Sequence, residues 1–359
     1  MGKYKHALVV IILTALATVG LFAFFRFFLF RLPTAASEEA GPIDAMFNIH
    51  FWLQAFLFSM IMVITLYSVY AFRRQPGDEE DAPHIHGHTG LEIIWTIVPT
   101  IVVIIFGYYG YTVLTDLLAV EPNERAVEVI GRQWSWKFEY PDIGGQSSSE
   151  LVLLVNQPVV LQMYSEDVIH SFWVPEFRVK QDLLPVANPG EDYFELRITP
   201  TKEGAYKTRC AEICGLEHSQ MVADVLVLNQ ADYDAWAAEI SGKPGLDDLE
   251  GLTPAERGEF WYTEFGCNGC HKLDGTDGAG PTWLGIYNSE EELADGSTVI
   301  VDHDYLYESI LDPDAKVTAG FNPGIMSTQN FEDRFNSFGF SDADQITNDL
   351  IAFIETLNE

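Results

Sequence analysis

The chain has 359 residues, which is too long for one small domain and suits two or three folding units. Hydrophobic residues make up 48% of it, which excludes a chain that is disordered throughout. Its 20 Lys and Arg against 53 Asp and Glu give a formal charge of −33, so it would repel a phosphate backbone, and nucleic-acid binding is excluded. Residues 1–115 hold only 6 of the basic and 8 of the acidic residues. This division predicts an apolar membrane anchor followed by strongly acidic aqueous domains.

Three charge-free runs predict membrane-spanning helices, because a helix needs about 20 apolar residues to cross a bilayer. The first run is Ala7–Phe25, which Arg26 separates from four further apolar residues ending at Phe30. The other two runs are Phe51–Phe72 and Ile93–Thr115.

The orientation of these runs follows from basic residues before the first run and after the second, namely Lys3, Lys5, Arg73 and Arg74. The positive-inside rule places those ends in the cytoplasm and everything after residue 116 outside it. A cleaved signal peptide is the alternative for the first run, because the small residues of 34–36 could form a cleavage site. The length of the run favours a retained helix, and the later orientation is the same in both cases.

The four cysteines are all used by two short motifs, so none is left for a disulfide elsewhere. In the first motif, Cys210 and Cys214 precede His218 and Met221, and this soft ligand set favours copper over hard cations. Two thiolates four residues apart could bridge two copper ions. A zinc site with two Cys and two His is the alternative, but it has no use for the Met. His170 is the second histidine available to either site.

Around this motif, residues 126–228 consist of short β-rich runs separated by Pro, Gly, Asn and Asp. The runs are Ala126–Ile130, Glu150–Val155, Pro158–Tyr164, Tyr193–Ile198 and Val222–Leu228. They predict a β sandwich or barrel whose metal is held by loops that join strands.

This stretch resembles the copper domain of subunit II of haem–copper cytochrome c oxidases, a cupredoxin fold that carries the dinuclear CuA centre. The resemblance implies six copper ligands: the bridging thiolates Cys210 and Cys214, the imidazoles His170 and His218, the thioether of Met221 and the backbone carbonyl of Glu212. It also implies that the Glu212 side chain faces a magnesium ion shared with subunit I. Quinol-oxidising relatives lack these ligands, so the full set favours cytochrome c as the ultimate donor.

Two further stretches resemble the same family. Residues 131–140 resemble the aromatic patch beside the copper centre, which implies that Trp134 takes up electrons from a docked donor. Aromatic packing in a β domain is the alternative role. Residues 91–99 resemble the start of the family's second membrane helix, which implies that Glu92 stands at the mouth of a proton pathway in subunit I. The alternative for Glu92 is an acid that the helix dipole stabilises at a helix start.

The second cysteine motif is the attachment signature of a c-type haem, with Cys267, Cys270 and the adjacent His271. The two thiols add to the haem vinyl groups and the His supplies one axial imidazole. Attachment takes place outside the cytoplasm, in agreement with the predicted orientation. Thr253–Glu256 predicts the start of the helix that leads to the motif, and a last helix is predicted from about Ser341.

Residues 251–359 resemble a small class I cytochrome c domain, in which the Pro carbonyl of 280–284 would orient the axial His. After the haem motif, His303 and Met326 are the soft candidates for the sixth iron ligand. Residues 322–326 resemble the family's Met loop, so Met326 is expected and His303 is the alternative. A thioether ligand raises the haem potential, which suits an electron carrier.

The sequence therefore predicts a multidomain membrane protein with N-terminal transmembrane helices, an all-β cupredoxin domain and an all-α class I cytochrome c domain. The predicted parts are an N-terminal segment over 1–48 with an apolar helix over about 7–30, a transmembrane hairpin over 49–118, the CuA domain over 119–230, a helix and linker over 231–250, and the cytochrome c domain over 251–359.

This organisation resembles the caa3-type oxidases, although two membrane helices are the usual number in that family. The resemblance implies a subunit of a prokaryotic cell membrane with both redox domains on the periplasmic or outer side. Electrons would pass from an external donor through haem c and CuA to haem a of subunit I, where oxygen is reduced to water with proton translocation. Other oxidase subunits are expected partners. The alternatives are a CuA-containing subunit of a nitric oxide reductase and a membrane-tethered copper chaperone, which the haem motif disfavours.

Overall fold

The structure is a computed structural model that describes residues 4–29, 31–77, 84, 86–243, 246–337 and 342–358. Lys3, Phe30 and Ser341, which the sequence analysis used, and residues 244–245 of the predicted linker lie outside the described residues. The chain divides into two compact units, one of Met1–Ala35 with Glu39–Ala119 and the other of Ala36–Glu38 with Val120–Glu359.

The first unit contains three helices, α1 (Lys5–Phe24), α2 (Ala40–Ala71) and α3 (Thr89–Leu117), and a π-helical turn over Phe25–Leu29 that extends α1. Each of the three is long and apolar enough to cross a membrane. The rings of Phe22 and Trp52 stack at 3.9 Å and join α1 to α2. Helix α2 begins well before the predicted run at Phe51, because the polar residues Asn48 and His50 lie within the helix without ending it.

The second unit begins with ten strands: β1 (Arg125–Arg132), β2 (Ser135–Tyr140), β3 (Gln146–Ser148), β4 (Leu151–Leu154), β5 (Val159–Ser165), β6 (His170–Trp173), β7 (Lys180–Leu183), β8 (Phe194–Ile198), β9 (Gly204–Cys210) and β10 (Val222–Leu228). They form two five-stranded sheets, in the orders β3-β2-β1-β5-β8 and β4-β10-β9-β6-β7. The pairs β1–β5 and β4–β10 are parallel and the other pairs are antiparallel.

All five strands that the sequence predicted are present, as β1, β4, β5, β8 and β10. The apolar residues between the two sheets form one core, in which Phe138, Leu161 and Phe172 are almost completely buried. Tyr140 also lies in this core, and its hydroxyl donates to the carbonyl of Glu150 at 3.2 Å and accepts from the Val152 amide at 2.7 Å. A buried phenol that is bonded on both sides fixes this end of the sandwich.

Residues 36–38 lie in the second unit although they precede α2 in the chain. The backbone N–H of Ala36 donates to Glu176 at 3.0 Å, and the Ala36 carbonyl accepts from Thr201 at 2.8 Å. The amide of Glu38 donates to the carbonyl of Thr199 at 3.0 Å. Ala36 is fully buried, so this short segment is an integral part of the sandwich.

The rest of the second unit is mainly helical, with α4 (Gln230–Ser241), α5 (Pro254–Glu264), α6 (His303–Leu311), α7 (Phe331–Ser337) and α8 (Ala343–Thr356), and a small hairpin of β11 (Glu290–Glu292) and β12 (Thr298–Ile300). The predicted capping box is present at the start of α5, where Thr253 and Glu256 each bond the other's backbone amide. Arg257 of α5 pairs with the buried Asp349 of α8, with 2.7 Å between Nε and Oδ2, and so joins these two helices.

Candidate metal centre and haem-binding cavity

The first cysteine motif lies in the loop between β9 and β10, opposite the start of β6. Cys210 is the last residue of β9, and His170 is the first residue of the neighbouring strand β6. The Cys210 amide donates to the carbonyl of Met221 at 3.1 Å, which closes the loop at its base. Strand pairing thus places a histidine that is distant in sequence beside the two cysteines.

Six donor atoms converge in this loop. The contacts are Cys210 Sγ–Cys214 Sγ at 3.7 Å, Cys210 Sγ–His170 Nδ1 at 3.8 Å, Cys214 Sγ–His218 Nδ1 at 3.5 Å, Cys214 Sγ–Met221 Sδ at 3.8 Å and Cys210 Sγ–Glu212 O at 3.2 Å. The nitrogen and sulfur atoms of His170, Cys210 and Cys214 all lie within 4.8 Å of one another, and the three side chains are buried. Two adjacent thiols, each with its own imidazole, fit a dinuclear copper site.

A carboxylate orients one of the two imidazoles. Asp167 Oδ1 lies 2.8 Å from Nε2 of His170, so Nε2 carries the proton and Nδ1 points its lone pair at Cys210. Burial lowers the pKa of His170, but the contacts with Asp167 and Cys210 outweigh it and leave this pKa raised. The role of Asp167 was not predicted from the sequence. Its position three residues before His170 is the only local feature that indicates it.

The contact between the two thiols shifts their pKa values in opposite directions. The hydrogen bond from Cys214 lowers the pKa of the Cys210 thiol, and the same contact together with burial raises the pKa of the Cys214 thiol. A bridging role needs both thiols deprotonated, so binding of a metal would release protons from this pair.

Three side chains from the β1–β2 turn and from β2 form hydrogen bonds with the backbone of the loop between β9 and β10, called the copper loop below. Gln133 Nε2 and Trp134 Nε1 donate to the carbonyl of Cys214, at 2.6 Å and 3.3 Å. Trp136 Nε1 donates to the carbonyl of Met221 at 3.4 Å. The predicted residue Trp134 therefore touches a ligand residue directly, and the supporting roles of Gln133 and Trp136 were not predicted.

The haem motif forms one tight turn after α5. The amide of His271 donates to the carbonyl of Cys267 at 2.9 Å, and His271 Nδ1 donates to the carbonyl of Pro281 at 2.8 Å. The hydroxyl of Tyr262 donates to the carbonyl of His271 at 2.6 Å. Burial lowers the pKa of His271, so its imidazole is neutral with Nε2 available to a metal. A Cβ at Gly280 would lie 2.5 Å from this ring, so only Gly allows the close approach.

One cavity brings together the predicted haem residues. Cys267, Cys270 and His271 line it, and so does Met326 from the 3₁₀ turn Met326–Gln329. Two thiols, an imidazole and a thioether around one largely apolar cavity fit a covalently attached haem with two axial ligands. Trp134 also lines this cavity, so it contacts both candidate sites.

The alternative axial ligand lies elsewhere. His303 begins α6 with a side chain that is 47% exposed, and its Nε2 lies 2.9 Å from Oδ1 of Asn348. The structure thus groups Met326, not His303, with the cysteine motif.

Glu92 lies in the first unit, at the start of α3. Its Oε1 accepts from the backbone amide of His88 at 3.2 Å, and His88 Nδ1 accepts from the amide of Leu91 at 3.2 Å. This reciprocal arrangement caps the helix. Glu92 is exposed, so the cap leaves its carboxylate accessible.

Comparison with known proteins decides the family. Residues 26–113 match the family model for the transmembrane domain of cytochrome c oxidase subunit II, and residues 145–228 match the model for its periplasmic domain. Cytochrome c oxidase subunit 2 of Alkalihalophilus pseudofirmus is 30% identical over 257 residues, which cover 67% of this chain and 72% of that protein. The chain belongs to the cytochrome c oxidase subunit II family.

Two further proteins are similar to this chain. Cytochrome c oxidase subunit 2 of Cereibacter sphaeroides is 31% identical over 265 residues, covering 62% of this chain and 84% of that protein. The crystal structure of the periplasmic domain of subunit II of cytochrome oxidase from Bradyrhizobium japonicum matches 35% of this chain and 99% of that chain, with 26% identity and a TM-score of 0.32.

Subunit II is part of a haem–copper cytochrome c oxidase, an oxidoreductase complex. The chain is accordingly a membrane protein with a periplasmic domain, and a CuA-type copper site is expected in its cupredoxin-like sandwich. The remaining subunits of the oxidase are its partners.

Proposed function

We propose that this chain is the electron-input subunit of a caa3-type oxidase, with a CuA domain over 119–230 and a fused class I cytochrome c domain over 251–359. In this function, an external one-electron donor reduces haem c, and the electron reaches haem a of subunit I through CuA. The observation that carries the proposal is the position of Trp134, which bonds the Cys214 carbonyl and lines the cavity of the haem motif.

When bound, the dinuclear copper and the covalent haem supply one-electron redox chemistry at the two ends of this contact. The chain's own residues hold and tune them. Cys210 and Cys214 would bridge the copper ions, His170 and His218 would bind them terminally, and Met221 and the Glu212 carbonyl would complete the set. Because Asp167 fixes the tautomer of His170, that imidazole is ready to ligate without rearrangement.

On the haem side, Cys267 and Cys270 would form the thioether bonds, and His271 and Met326 would supply the axial ligands. The Pro281 carbonyl holds the proton on Nδ1 of His271, which keeps Nε2 free for iron. With His271 and Met326 as its ligands, the haem would have a raised potential, which suits an electron carrier that feeds an oxidase.

Trp134 connects the two sites through short contacts. Its indole N–H reaches the Cys214 carbonyl at 3.3 Å, and a Cβ at Gly269 of the haem motif would lie only 3.0 Å from the Trp134 carbonyl. A close approach of the Gly269 and Trp134 backbones and one hydrogen bond therefore connect the haem motif to a copper ligand. This connection gives Trp134 a role in electron transfer besides packing.

Two further residues have proposed roles toward subunit I. The Glu212 side chain is exposed while its carbonyl faces Cys210, an arrangement suited to a magnesium ion shared between subunits. Glu92 is exposed at the edge of an apolar helix, which supports a role at the mouth of a proton pathway in the partner. The proposal also includes both redox domains on the periplasmic or outer side and proton translocation coupled to oxygen reduction.

Purification of the intact complex from the native membrane tests this function. We expect one covalently bound haem for each copy of this chain, a mixed-valence two-copper signal, and reduction of oxygen when a cytochrome donor is supplied. Turnover of nitric oxide in place of oxygen would identify a nitric oxide reductase instead. A chain without covalent haem would overturn the caa3 assignment.

A further inference from the structure

The contact between the β sandwich and the haem-binding region, residues 251–359, contains a buried ion pair. Lys137 of β2 lies with Nζ 2.9 Å and 3.1 Å from the two carboxylate oxygens of Glu264, the last residue of α5. The two side chains are only 7% and 16% exposed. Glu139 also contacts Lys137, at 2.8 Å. Burial lowers the pKa of Lys137, but the two carboxylates outweigh it and leave this pKa raised, so Lys137 is charged.

A second cation reinforces the same contact. Arg132, at the end of β1, is 4% exposed, and one of its terminal nitrogens donates to the carbonyl of Thr263 at 3.1 Å. Thr263 lies in the last turn of α5, where unpaired carbonyls favour a positive charge. The chain has only 20 basic residues against 53 acidic ones, and two of them are buried at this single contact.

The two regions also approach each other closely at two glycines of the haem motif turn. A Cβ at Gly269 would lie 2.8 Å from Cβ of Ser135, and a Cβ at Gly266 would lie 2.5 Å from Oγ of Ser135. Such an approach needs both glycines and a fixed relative position of the two regions. It is a packed interface, unlike the contacts expected of a domain that swings on a linker.

Trp134 is only 4% exposed while the haem-binding region is packed on the sandwich. A soluble donor that docks on the protein surface therefore has almost no access to the indole. Trp134 lines the haem-binding cavity instead.

We propose that a latch keeps the haem-binding region (the haem domain) docked on the sandwich (the copper domain) and closes Trp134 to external donors. The latch consists of the buried cations Arg132 and Lys137 and their partners Thr263 and Glu264. This inference rests on the proposed function above and adds a route: electrons from any external donor must enter through the chain's own haem. A tether alone would raise the local concentration of the haem domain but would leave the indole open part of the time.

The test separates docking from tethering. A site-specific protease sequence inserted after Lys243 in the full chain allows the connection between the two domains to be cut within the intact complex. We expect the cleaved haem domain to stay bound through repeated washing. Lys137→Ala should weaken its retention about a hundredfold, because it leaves the buried Glu264 carboxylate without its cation. Glu264→Ala should weaken retention less, because Lys137 keeps its contact with Glu139. The double variant should cost little more than Lys137→Ala alone, since the two side chains interact.

Lys207 and Asp224 provide the matched control pair, with 2.7 Å between them and side chains that are 53% and 45% exposed. Lys207→Ala should leave retention unchanged. A second readout is direct reduction of the copper centre by a soluble cytochrome, which should be absent in the parent chain and appear in Glu264→Ala, whose substitution lies outside the copper domain.

Immediate loss of the cleaved domain from the parent complex, or full retention in both Ala variants, would overturn the latch. Retention is measured from protein bands, so it does not depend on redox activity. A cleaved domain that stays bound but carries no haem would refute the proposed function and support the latch. A cleaved domain that carries haem but dissociates would support the proposed function and refute the latch.

Discussion

Gly258 of α5 faces the backbone carbonyl of Asp349 in α8 with no side chain between them. A Cβ at Gly258 would lie 2.1 Å from that carbonyl oxygen and 2.7 Å from Cβ of Phe353. Both neighbours are main-chain or first side-chain atoms, so neither can move aside by a rotamer change. The close packing of α5 against α8 therefore depends on this glycine.

Gly258→Ala should destabilise the haem-binding region by about 3 kcal/mol, because the added methyl group forces α5 and α8 apart. Denaturant unfolding of the full chain, followed by the haem absorption band, measures the change. Gly251→Ala is the control, because a Cβ there meets nothing within 4 Å. Equal effects of the two substitutions would show that the crossing of α5 and α8 tolerates a methyl group.

The thiolate pair has a spectroscopic prediction. Cys210→Ser and Cys214→Ser should each abolish the delocalised two-copper signal, because a serine hydroxyl cannot replace a bridging thiolate. The haem should still be reduced by an external donor in both variants. Electron paramagnetic resonance and copper content report the loss. A normal two-copper signal with full turnover in either variant would refute the bridging role.

The axial ligand of the haem can be tested by a paired substitution. Met326→Ala should leave the haem attached through Cys267 and Cys270, but should make it high-spin or give it a substitute ligand and lower its potential. His303→Ala should leave the spectrum unchanged, because His303 is exposed and contacts Asn348. An unaltered low-spin, Met-ligated spectrum in the Met326 variant would rule out that residue.

The pH dependence of stability follows from Glu128 in β1. Burial, the largest effect, raises the pKa of this carboxyl, and the negative charge of Glu139 on the adjacent strand raises it further. The hydrogen bond from Tyr193 lowers the pKa but does not outweigh these effects, so the pKa is raised. A raised folded pKa means that the contribution of Glu128 to stability is complete below its unfolded pKa of about 4.5 and is lost as the pH rises.

Glu128→Gln should therefore raise the melting temperature at pH 7–8 and have no effect near pH 4. The gain should be about 0.5 kcal/mol or less, because solvent screens a half-buried carboxylate. Melting curves of the full chain between these pH values give the measurement, with the exposed Glu191→Gln as control. A gain that is the same at both pH values would contradict the assignment to this carboxyl.

The external donor is expected to be positively charged. Residues 250–359 carry 4 basic against 22 acidic side chains, and such a surface attracts a basic protein at long range. The rate of haem reduction by a basic cytochrome should fall steeply between 0.1 M and 1 M salt, as the screening length drops from about 10 Å to about 3 Å. Stopped-flow reduction measures this rate, with a small neutral reductant as the salt-independent control. A flat rate would mean that the acidity serves solubility in a salty habitat.

The ligand set was predictable because its chemistry is local. Cys210, Cys214, His218 and Met221 lie within twelve residues, and few sites use that combination of soft donors. Strand pairing then brings His170 to them, although the prediction placed the metal in loops that join strands. Met326 was likewise predicted from the scarcity of soft ligands after the haem motif.

The residues that support the site could not be predicted in the same way. Asp167, Gln133 and Lys137 are ordinary polar residues, and their roles depend on which loops the fold brings together. The contact between the β1–β2 turn and the end of α5 joins positions about 130 residues apart, such as Arg132 and Thr263. Five strands of the sandwich were not predicted, because most of them are short or rich in polar residues and neighbouring strands decide their conformation: β2, β3, β6, β7 and β9.

The segment at Ala36 has a consequence for how the protein is made. It enters the sandwich from the stretch of chain that precedes α2, whereas all the strands follow α3. A ribosome has therefore synthesised two long apolar helices between this segment and its partners Glu176 and Thr201. The sandwich can therefore complete its fold only after the chain on both sides of that helical pair has been synthesised. A soluble fragment that starts at Val120 would lack Ala36 and leave its buried position in the sandwich empty. Adding residues 31–39 as a separate peptide should fill that position.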